Sequence, residues 1–359
     1  MEQQNYRILG LMSGTSLDGL DISDVKYFRK EGVWNFELMN AQTIAYPVEL
    51  LTQLENATQL NAVNLQILDY QLGVFFAEKV NQFCSLFNIE PSIIDAIASH
   101  GHTIYHQPER RITVQIGCGT ALAYRTGINV INDFRKKDVI AGGQGAPLVP
   151  IGDLLLFGLQ ADSFLNIGGF ANLSFRKNGH VRAFDICPAN ILINLLTRKI
   201  GHSYDAFGEI ASSYPFAKSL LKELNAISTY QEIQPKSLGT EWLEKNIVPL
   251  VSNYDCAIEN KIATVTEHAA FQIAKRLNQN KLSNVFVTGG GAKNTHLIKR
   301  ISASFTGEII IPEEKIIDFK EAIIFGFLGV LYLEKTPNCL SSVTGAKKDV
   351  IGGVLHSAE

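Results

Sequence analysis

The feature that most constrains the fold of this chain is the order of its patterned segments, in which three strands followed by helices occur twice. Alternating apolar and polar residues, rich in β-branched and aromatic side chains, are typical of strands. They predict strands at residues 6–12, 20–28 and 33–44 and again at 163–168, 172–176 and 181–186. After the first set, apolar residues at helical spacing predict a long amphipathic helix at 65–87. We therefore predict an internal duplication, with a mixed five-stranded sheet in each half.

The other patterned segments complete the two halves. Further strands are predicted at residues 93–99, 127–131, 285–288 and 308–311, and helices at 47–54, 120–126, 189–199, 209–224, 264–279, 296–304 and 320–334. The passage 133–150, glycine-rich in its second half, favours a change of domain. We predict an N-terminal lobe at 1–132, on which residues from about 340 to 359 pack back, and a C-terminal lobe at 133–339.

Composition narrows the class of protein. A net charge of −3 and a pI near 6.3 argue against nucleic acid or an anionic membrane surface as partner. No apolar run reaches the roughly 18 residues of a membrane helix, and the first residues, MEQQNYR, lack the apolar core of a signal peptide. The five cysteines are scattered and form no CxxC pair. They predict reduced thiols in a cytoplasmic protein.

Three glycine-containing turns carry the chemistry. The first glycine turn (residues 13–19) and the second (residues 166–172) each open one set of three strands, and the third (residues 289–291) joins a buried strand to a helix. Glycine lets the backbone approach a ligand closely, and successive N–H groups in such turns bind anions. Asp18 and Asp21 beside the first turn predict a phosphate-bound cation, typically Mg²⁺. Taken alone, the first turn is equally compatible with an ordinary hairpin.

Two such turns predict a nucleotide whose phosphates lie between two domains. The third turn suits phosphate or nucleoside contact at a helix N-terminus. Its glycines do not follow the spacing of a Walker loop or of a dinucleotide-binding fold. The predicted ATP-binding residues are Gly14, Thr15, Ser16, Leu17, Asp18, Gly19, Leu20, Asp21, Gly168, Gly169, Asn172, Gly289, Gly290 and Gly291, with Asp18 also the predicted Mg²⁺ ligand.

With these turns in order, the chain resembles the actin, hexokinase and Hsp70 superfamily of two-domain ATP-dependent proteins. Within it, the chain is similar to 1,6-anhydro-N-acetylmuramic acid kinases. The resemblance covers nearly the whole chain and rests on the segments GLMSGTSLDGLDI, SHGHTIYH, QIGCG, DFRKKDVIAGGQGAPLVP, NIGGFANLS and SYDAFGEIA. It implies two α/β lobes of the ribonuclease-H-like kind, with ATP and the sugar in an interdomain cleft.

The resemblance also implies a reaction. Water adds at C1 of the anhydro-sugar and opens the 1,6 bridge, while O6 takes the γ-phosphoryl group of ATP. The product is N-acetylmuramic acid 6-phosphate, an intermediate of peptidoglycan recycling. The chemistry requires a general base for the water, together with Mg²⁺ and N–H donors for the phosphates. The family resemblance further suggests a homodimer.

The expected base lies in a stretch that departs from the family pattern. The family writes it Phe-Asp-Thr-Gly-Pro-Gly-Asn, and this chain has FDICPAN at residues 184–190. Asp185 matches the base, while Ile186, Cys187 and Ala189 replace Thr and two Gly. We expect these three changes to alter the sugar pocket. Without the resemblance, Asp185 reads equally as a cap for the following helix.

Other matched residues are expected to hold the sugar. Arg135 is the candidate for its lactyl carboxylate, because an Arg fork suits that group, although DFRKKD also reads as a solvated charged face. The amides of the loop at residues 142–145 are expected to hold sugar hydroxyls. The predicted substrate-binding residues are His102, Gln115, Arg135, Gly143, Gln144 and Asn190. Cys118 stands where many family members carry Asp.

Several alternatives stay open at this stage. His100, His102 and His106 have a spacing that suggests a metal site, but no cysteine or acid cluster accompanies them, so a place in the sugar pocket or ordinary packing is favoured. Tyr204 and Asp205 are further candidates for the cleft. A kinase of another amino sugar is one alternative function, and an ATP-driven chaperone or conformational switch is another. Dependence of ATP turnover on sugar separates these classes.

Overall fold

The computed structural model describes residues 5–231 and 238–359 of the chain. The strands in these ranges are numbered in chain order. They are β1 (Tyr6–Ser13), β2 (Leu20–Lys30), β3 (Val33–Ile44), β4 (Ala96–Gln107), β5 (Ile112–Ile116), β6 (Val130–Asn132), β7 (Ser163–Ile167), β8 (Phe170–Lys177), β9 (His180–Pro188), β10 (Asn284–Thr288), β11 (Glu308–Ile310) and β12 (Val354–His356).

The α-helices of the same ranges are numbered in the same way. They are α1 (Val48–Glu55), α2 (Ala62–Leu86), α3 (Gly119–Thr126), α4 (Lys136–Ile140), α5 (Val149–Leu156), α6 (Asn190–Thr197), α7 (Glu209–Ser213), α8 (Lys218–Ala226), α9 (Thr240–Asn246), α10 (Val248–Asn253), α11 (Ile258–Gln279), α12 (Thr295–Ser302), α13 (Glu314–Leu333) and α14 (Ser341–Thr344).

The chain divides into two compact units. Unit 1 comprises Met1–Phe157 and Phe319–Glu359, and unit 2 comprises Gly158–Asp318. The divisions thus fall at 157/158 and 318/319, whereas the sequence places them at 132/133 and near 339/340. Tertiary contacts explain the difference. The Thr344 hydroxyl donates to Asp138 Oδ1 over 2.7 Å, and Lys320 forms a buried ion pair with Asp153, so the passage 133–150 is held within unit 1.

The sheet of unit 1 has seven strands in its described part. Its order is β12-β6-β4-β1-β2-β3, and β5 pairs with β4. β1 runs antiparallel to β2 and parallel to β4, and β4 in turn runs parallel to β6. The prediction of five strands is therefore wrong for this unit. The two additional strands, β5 and β12, pair antiparallel with β4 and β6.

The sheet of unit 2 has five strands, in the order β11-β10-β7-β8-β9 within the described residues. β7 runs antiparallel to β8 and parallel to β10, which runs parallel to β11. This is the order and direction of β6-β4-β1-β2-β3 in unit 1. The internal duplication predicted from the sequence is confirmed at the level of sheet topology, as is the mixed α/β fold class.

The helices cover both faces of the sheet in unit 1. Leu9 and Leu11 of β1 belong to one apolar core with Leu72 and Phe76 of α2. Gly10 points the other way, because side chains alternate along a strand. A Cβ atom at Gly10 would lie 2.0 Å from the carbonyl oxygen of Ala322 in α13. The glycine therefore allows the backbone of α13 to lie directly against β1.

Two differences from the predicted elements have local causes. The single helix predicted at 209–224 is two helices, α7 and α8, because Pro215 interrupts the pattern between them. The strand predicted at 93–99 begins later and continues to Gln107, where it pairs with β5. We find no helix in the described ranges with the length and apolar character needed to cross a membrane.

Candidate active site

The first glycine turn connects β1 to β2 in unit 1. Leu17 N–H donates to the carbonyl oxygen of Gly14 over 3.1 Å, and Leu17 itself has a φ of 62°. Thr15, Ser16 and Asp18 are exposed. Two hydroxyls and one carboxylate therefore stand at the surface of a tight turn, where an anionic ligand and its cation could contact them.

The remaining residues of this segment are less accessible. Leu20 is fully buried, and Asp21 accepts a hydrogen bond of 2.6 Å from the Thr43 hydroxyl. Ser13, read from the sequence as a third hydroxyl donor, is also buried. Its Oγ accepts from the Tyr46 hydroxyl at 2.6 Å and lies 2.9 Å from His102 Nδ1. Ser13 therefore joins the turn to β4 instead of facing a ligand.

Two histidines of β4 are held neutral by their surroundings. Burial lowers the pKa of His102, and burial together with the Arg135 charge lowers the pKa of His100 well below its ordinary value. His100 Nδ1 lies 2.8 Å from the carbonyl oxygen of Gly101, so it carries the proton and donates. His100 Nε2 is then an acceptor for Arg135 Nε–H, at 2.9 Å.

Arg135 is thus fixed on two sides. Its Nη1 donates to the carbonyl oxygen of Gly145 over 2.8 Å, and its guanidinium lies 5.9 Å from the centre of the Phe325 ring. Within the described chain, its Nη2 has no hydrogen-bond partner. One guanidinium nitrogen is consequently available for a ligand, rather than a complete fork.

Gln115 and Cys118 lie on the segment between β5 and α3. Gln115 Nε2 donates to the hydroxyls of Thr103 and Thr113, at 3.2 and 2.9 Å. Asp69 of α2 accepts from Gly117 N–H at 2.7 Å and so fixes the turn that follows. Cys118 is the N-cap residue of α3, and its thiol makes no capping hydrogen bond. Position 118 is therefore a helix start.

The backbone amides of the loop at residues 142–145 are used within unit 1. Gly143 N–H donates to the carbonyl oxygen of Asp138, and Gly145 N–H donates to its carboxylate at 2.7 Å. Gln144 N–H donates to the carbonyl oxygen of Thr344 at 2.8 Å. The expectation that these amides hold sugar hydroxyls is therefore wrong for all three. Gln144 itself is exposed, so its side-chain amide can serve instead.

Asp185 lies near the end of β9 in unit 2 and is half-buried. It stands opposite Asn172 of β8 in the sheet register. Its Oδ2 accepts a hydrogen bond from Leu238 N–H over 2.8 Å. The carboxylate is thus oriented by a backbone donor from outside the sheet, which sequence reasoning did not identify.

The three departures beside Asp185 all point into the core of unit 2. Ile186, Cys187 and Ala189 each have 0% of their surface exposed and belong to one apolar cluster with residues of α11. The expectation that they reshape a ligand pocket directly is therefore wrong. Bulk added at these positions is accommodated by core packing.

The second and third glycine turns lie together in unit 2. The carbonyl oxygens of Gly168 and Gly169 accept hydrogen bonds from the first N–H groups of α6, including that of Asn190. Gly289 has a φ of 79°, and a Cβ atom there would lie 2.7 Å from Asn166 Oδ1. Glycine is thus required for both the conformation and the close approach.

The third turn continues as a 3₁₀ turn before α12 begins. Asn294 caps α12, and its Oδ1 accepts from Leu297 N–H at 2.9 Å. The glycines therefore precede the helix N-terminus instead of forming it. Gly290 and Asn190 face each other, since a Cβ atom at Gly290 would lie 3.7 Å from Asn190 Nδ2.

A cavity of about 350 Å³ adjoins these turns. The residues that line it come from α6, α12 and the segments preceding α7 and α12. They are Asn190, Ile193, Asn194, Tyr204, Asp205, Ala206, Phe207, Gly290, Lys293 and Asn294. Tyr204 and Phe207 are each 61% exposed, so two aromatic faces and several amides are presented to a ligand. A planar base carrying hydrogen-bonding groups matches this lining.

Sequence reasoning missed several of these residues. Asn194 follows Asn190 by four positions on a helix, a spacing that places both on one face and could have been noticed. Phe207 reaches the cavity through a φ of 54°, which no sequence pattern signals for an aromatic residue. Asp205 was expected to reach the ligand, but its carboxylate accepts from the N–H groups of Ile210 and Ala211 in the first turn of α7.

Asp18 is the candidate for holding Mg²⁺. Where the structure describes the chain, no three His, Cys, Asp or Glu side chains come together as a metal-binding group. Mg²⁺ at a nucleotide usually keeps several waters and takes one or two carboxylates in addition to the phosphates. A single exposed carboxylate beside a hydroxyl-bearing turn fits that mode of binding.

Comparison with known proteins points to one family. The family model described as anhydro-N-acetylmuramic acid kinase matches residues 6–358. The protein named anhydro-N-acetylmuramic acid kinase in Francisella tularensis subsp. novicida is 35% identical over 99% of this chain and 100% of its own length. That of Bacillus cereus is 33% identical over 96% and 98%. Among solved structures, a ROK family glucokinase from Streptomyces griseus covers 90% of this chain and 98% of its own, with a TM-score of 0.39 and 11% identity.

Proposed function

This chain belongs to the family of anhydro-N-acetylmuramic acid kinases, and from that membership we propose that it converts 1,6-anhydro-N-acetylmuramic acid into N-acetylmuramic acid 6-phosphate. It is a kinase of carbohydrate substrates, with ATP as the proposed phosphoryl donor. The family model and the full-length relatives support this assignment.

The proposed reaction couples a hydrolysis to a phosphoryl transfer. The oxygen of water bonds to C1 of the sugar as the C1–O6 bond breaks, and O6 forms a bond to the γ-phosphorus of ATP as ADP leaves. Asp185 takes a proton from the water. A positioned carboxylate base of this kind contributes about 10²–10⁴-fold to such a step.

One observation carries the choice of sugar. The side chains of Ile186, Cys187 and Ala189 are buried in the core of unit 2, so the departures from the family pattern do not themselves supply new groups to a ligand. The carboxylate of Asp185, the matching residue, is half-buried and held by a backbone donor. This favours the family's substrate over another amino sugar.

Further residues of unit 1 are proposed to bind the sugar. Arg135 Nη2 suits its lactyl carboxylate, and the neutral His102 and the side-chain amides of Gln115 and Gln144 suit its hydroxyls. In unit 2, Asn190 is the proposed contact. Gly143 is proposed to act by keeping its loop compact, because a Cβ atom there would lie 2.2 Å from the Asp138 carboxylate.

For ATP, the cavity of unit 2 is the proposed nucleoside site, with Tyr204 and Phe207 against the base. The proposed phosphate contacts are Gly168, Gly169, Asn172 and the third glycine turn in unit 2, with the first glycine turn in unit 1. Mg²⁺, held through Asp18, would neutralise phosphate charge during transfer. We also propose a cytoplasmic homodimer; the free state of all five cysteines supports the reducing compartment.

The experiment that tests the function measures ATP consumption with and without the anhydro-sugar, in the wild-type protein and in Asp185→Asn. We expect the sugar to stimulate turnover in the wild type and the substitution to abolish it. Mass spectrometry should find that the product has gained both the elements of water and a phosphoryl group.

Two controls separate the alternatives. Asp162→Asn changes an exposed carboxylate of unit 2 that hydrogen-bonds to Ser283, and it should leave turnover unchanged. A panel of other amino sugars should not replace the anhydro-sugar. Stimulation by a different sugar would overturn the substrate, and sugar-independent turnover would favour a conformational ATPase.

A further inference from the structure

The inference concerns how the carboxylate of Asp185 is held, and it rests on the proposed role of Asp185 as the base. Leu238, which donates its N–H to Asp185 Oδ2, directly precedes Gly239, the N-cap residue of α9. A donor on one oxygen fixes the plane of the carboxylate. The position of the start of α9 therefore sets the orientation of the base.

α9 is in turn held by an aromatic contact. Trp242 of α9 packs edge-on against Tyr230, with ring centres 5.9 Å apart, and its indole N–H donates to the Thr229 hydroxyl at 3.3 Å. Tyr230 is only 1% exposed. Arg276 Nη2 also donates to the carbonyl oxygen of Tyr230 at 3.2 Å. Tyr230 thus lies between α9 and the long helix α11.

A polar network in the core fixes Tyr230 on the side of α11. Gln272 Nε2 and His268 Nδ1 both lie 2.8 Å from Asn225 Oδ1. Since that oxygen is an acceptor, His268 Nδ1 carries its proton, and Nε2 accepts from the Tyr230 hydroxyl at 3.2 Å. Burial lowers the pKa of His268 to about 3, so the ring stays neutral and this tautomer persists.

We propose that Tyr230, held by His268, is a positioning residue for the general base Asp185. The path runs from His268 to Tyr230, to Trp242 on α9, and to the N–H of Leu238 on the base. Neither Tyr230 nor His268 touches the substrate in this account. Because proximity effects depend steeply on geometry, a small shift of α9 lowers the rate of water addition without changing nucleotide binding.

The test removes the hydroxyl in Tyr230→Phe, which keeps the ring and its contact with Trp242. We expect kcat of sugar-dependent ATP consumption to fall about tenfold, with the KM for ATP unchanged. In an Asp185→Glu background, where the carboxylate is already displaced, the same substitution should cost less than threefold, because residues that act as a unit are not additive.

Tyr254→Phe is the matched control. It also removes a hydroxyl that hydrogen-bonds to a side chain of unit 2, that of Ser219, but it lies outside the path to Leu238. It should leave kcat unchanged. If Tyr230→Phe does not fold, Trp242→Phe, which removes only the indole contact with Thr229, is judged by the same criteria.

The outcomes distinguish this proposal from the function on which it rests. If Asp185→Asn retains sugar-dependent turnover, the proposed base is wrong. If Asp185→Asn is inactive while a folded Tyr230→Phe keeps the wild-type kcat, the positioning role alone is overturned. An undiminished tenfold loss in the Asp185→Glu background also overturns it, since Tyr230 would then act elsewhere.

Discussion

Arg135 has two guanidinium nitrogens engaged inside unit 1 and one without a partner among the described residues. If Nη2 binds the lactyl carboxylate, Arg135→Lys should raise the KM for the sugar. Hydrogen bonds to charged groups contribute about 1.5–3 kcal/mol, which corresponds to roughly a 10- to 150-fold increase. Steady-state kinetics with saturating ATP measure the change.

The control for this prediction lies two residues away. Lys137 is exposed, and Lys137→Ala removes a cation of the same charge run. It should leave the sugar KM within twofold. An equal rise in both variants would instead indicate a general effect of surface charge.

Phe207 combines an exposed ring at the cavity with a φ of 54°, a conformation that costs a non-glycine residue roughly 1 kcal/mol or more. Phe207→Gly should therefore raise the free energy of unfolding by up to about 1 kcal/mol while raising the KM for ATP about tenfold, because a base-stacking face is lost. Denaturation and kinetics on one preparation measure both.

The opposite signs are what make this prediction specific. Tyr214→Ala, which removes an aromatic ring that is 45% exposed and outside the cavity lining, should change neither quantity appreciably. If Phe207→Gly leaves the KM for ATP unchanged, the nucleoside does not contact this ring.

At the scale of elements, the start of α3 explains one departure from the family. The residue at position 118 is the N-cap of α3, a place where Asp or Ser accepts from the first N–H groups and Cys does so poorly. Cys118→Ser should therefore stabilise the protein by about 0.5–1 kcal/mol. Urea denaturation measures it, with Cys118→Ala as the control that lacks an acceptor.

The same prediction bears on ligand binding. If the family's Asp at this position serves as a helix cap, Cys118→Ser leaves the KM for sugar and ATP unchanged. A fall in either KM together with no gain in stability would show that position 118 contacts a ligand instead.

Strands were easier to predict than their pairings. The two sets of three strands follow from alternation, which depends on neighbouring residues alone. β5 and β12 were missed because three to five residues give too few alternations, and β12 gains its partner β6 from more than 200 positions away. The break between α7 and α8 was foreseeable from Pro215.

The residues of the site divide in the same way. Asp185, Arg135 and the glycine turns could be named from local patterns and resemblance. Leu238, Tyr230 and His268 could not, because their roles arise from a backbone N–H and a buried network that join distant segments. The amides of residues 143–145 were misassigned because their partners, Asp138 and Thr344, are brought to them only by the tertiary fold.

At the scale of the whole molecule, each unit contains a buried histidine that resists protonation. Burial lowers the pKa of His268 in unit 2 to about 3, and burial with the Arg135 charge lowers the pKa of His100 in unit 1. In the unfolded chain both would titrate near 6.5. Below that pH the unfolded state binds more protons than the folded state, so stability present at neutral pH is lost as the pH falls.

The two tryptophans allow this loss to be followed unit by unit. Trp34 lies in unit 1 against Phe327, and Trp242 lies in unit 2 against Tyr230. In a Trp34→Phe background, fluorescence during urea denaturation reports on unit 2 alone. From His268 we expect the free energy of unfolding of that unit to fall by about 2 kcal/mol between pH 6.5 and pH 5.

His268→Gln in the same background is the decisive comparison. Glutamine can donate and accept in the core but takes no proton, so this variant should start from a lower stability and lose about 2 kcal/mol less between the two pH values. The Trp242→Phe background, which reports on unit 1, should show the acid sensitivity of His100 whether or not His268 is present. An unchanged pH dependence of unit 2 in His268→Gln would mean that other groups control its acid unfolding, and that the neutral imidazole contributes to the core only through its hydrogen bonds.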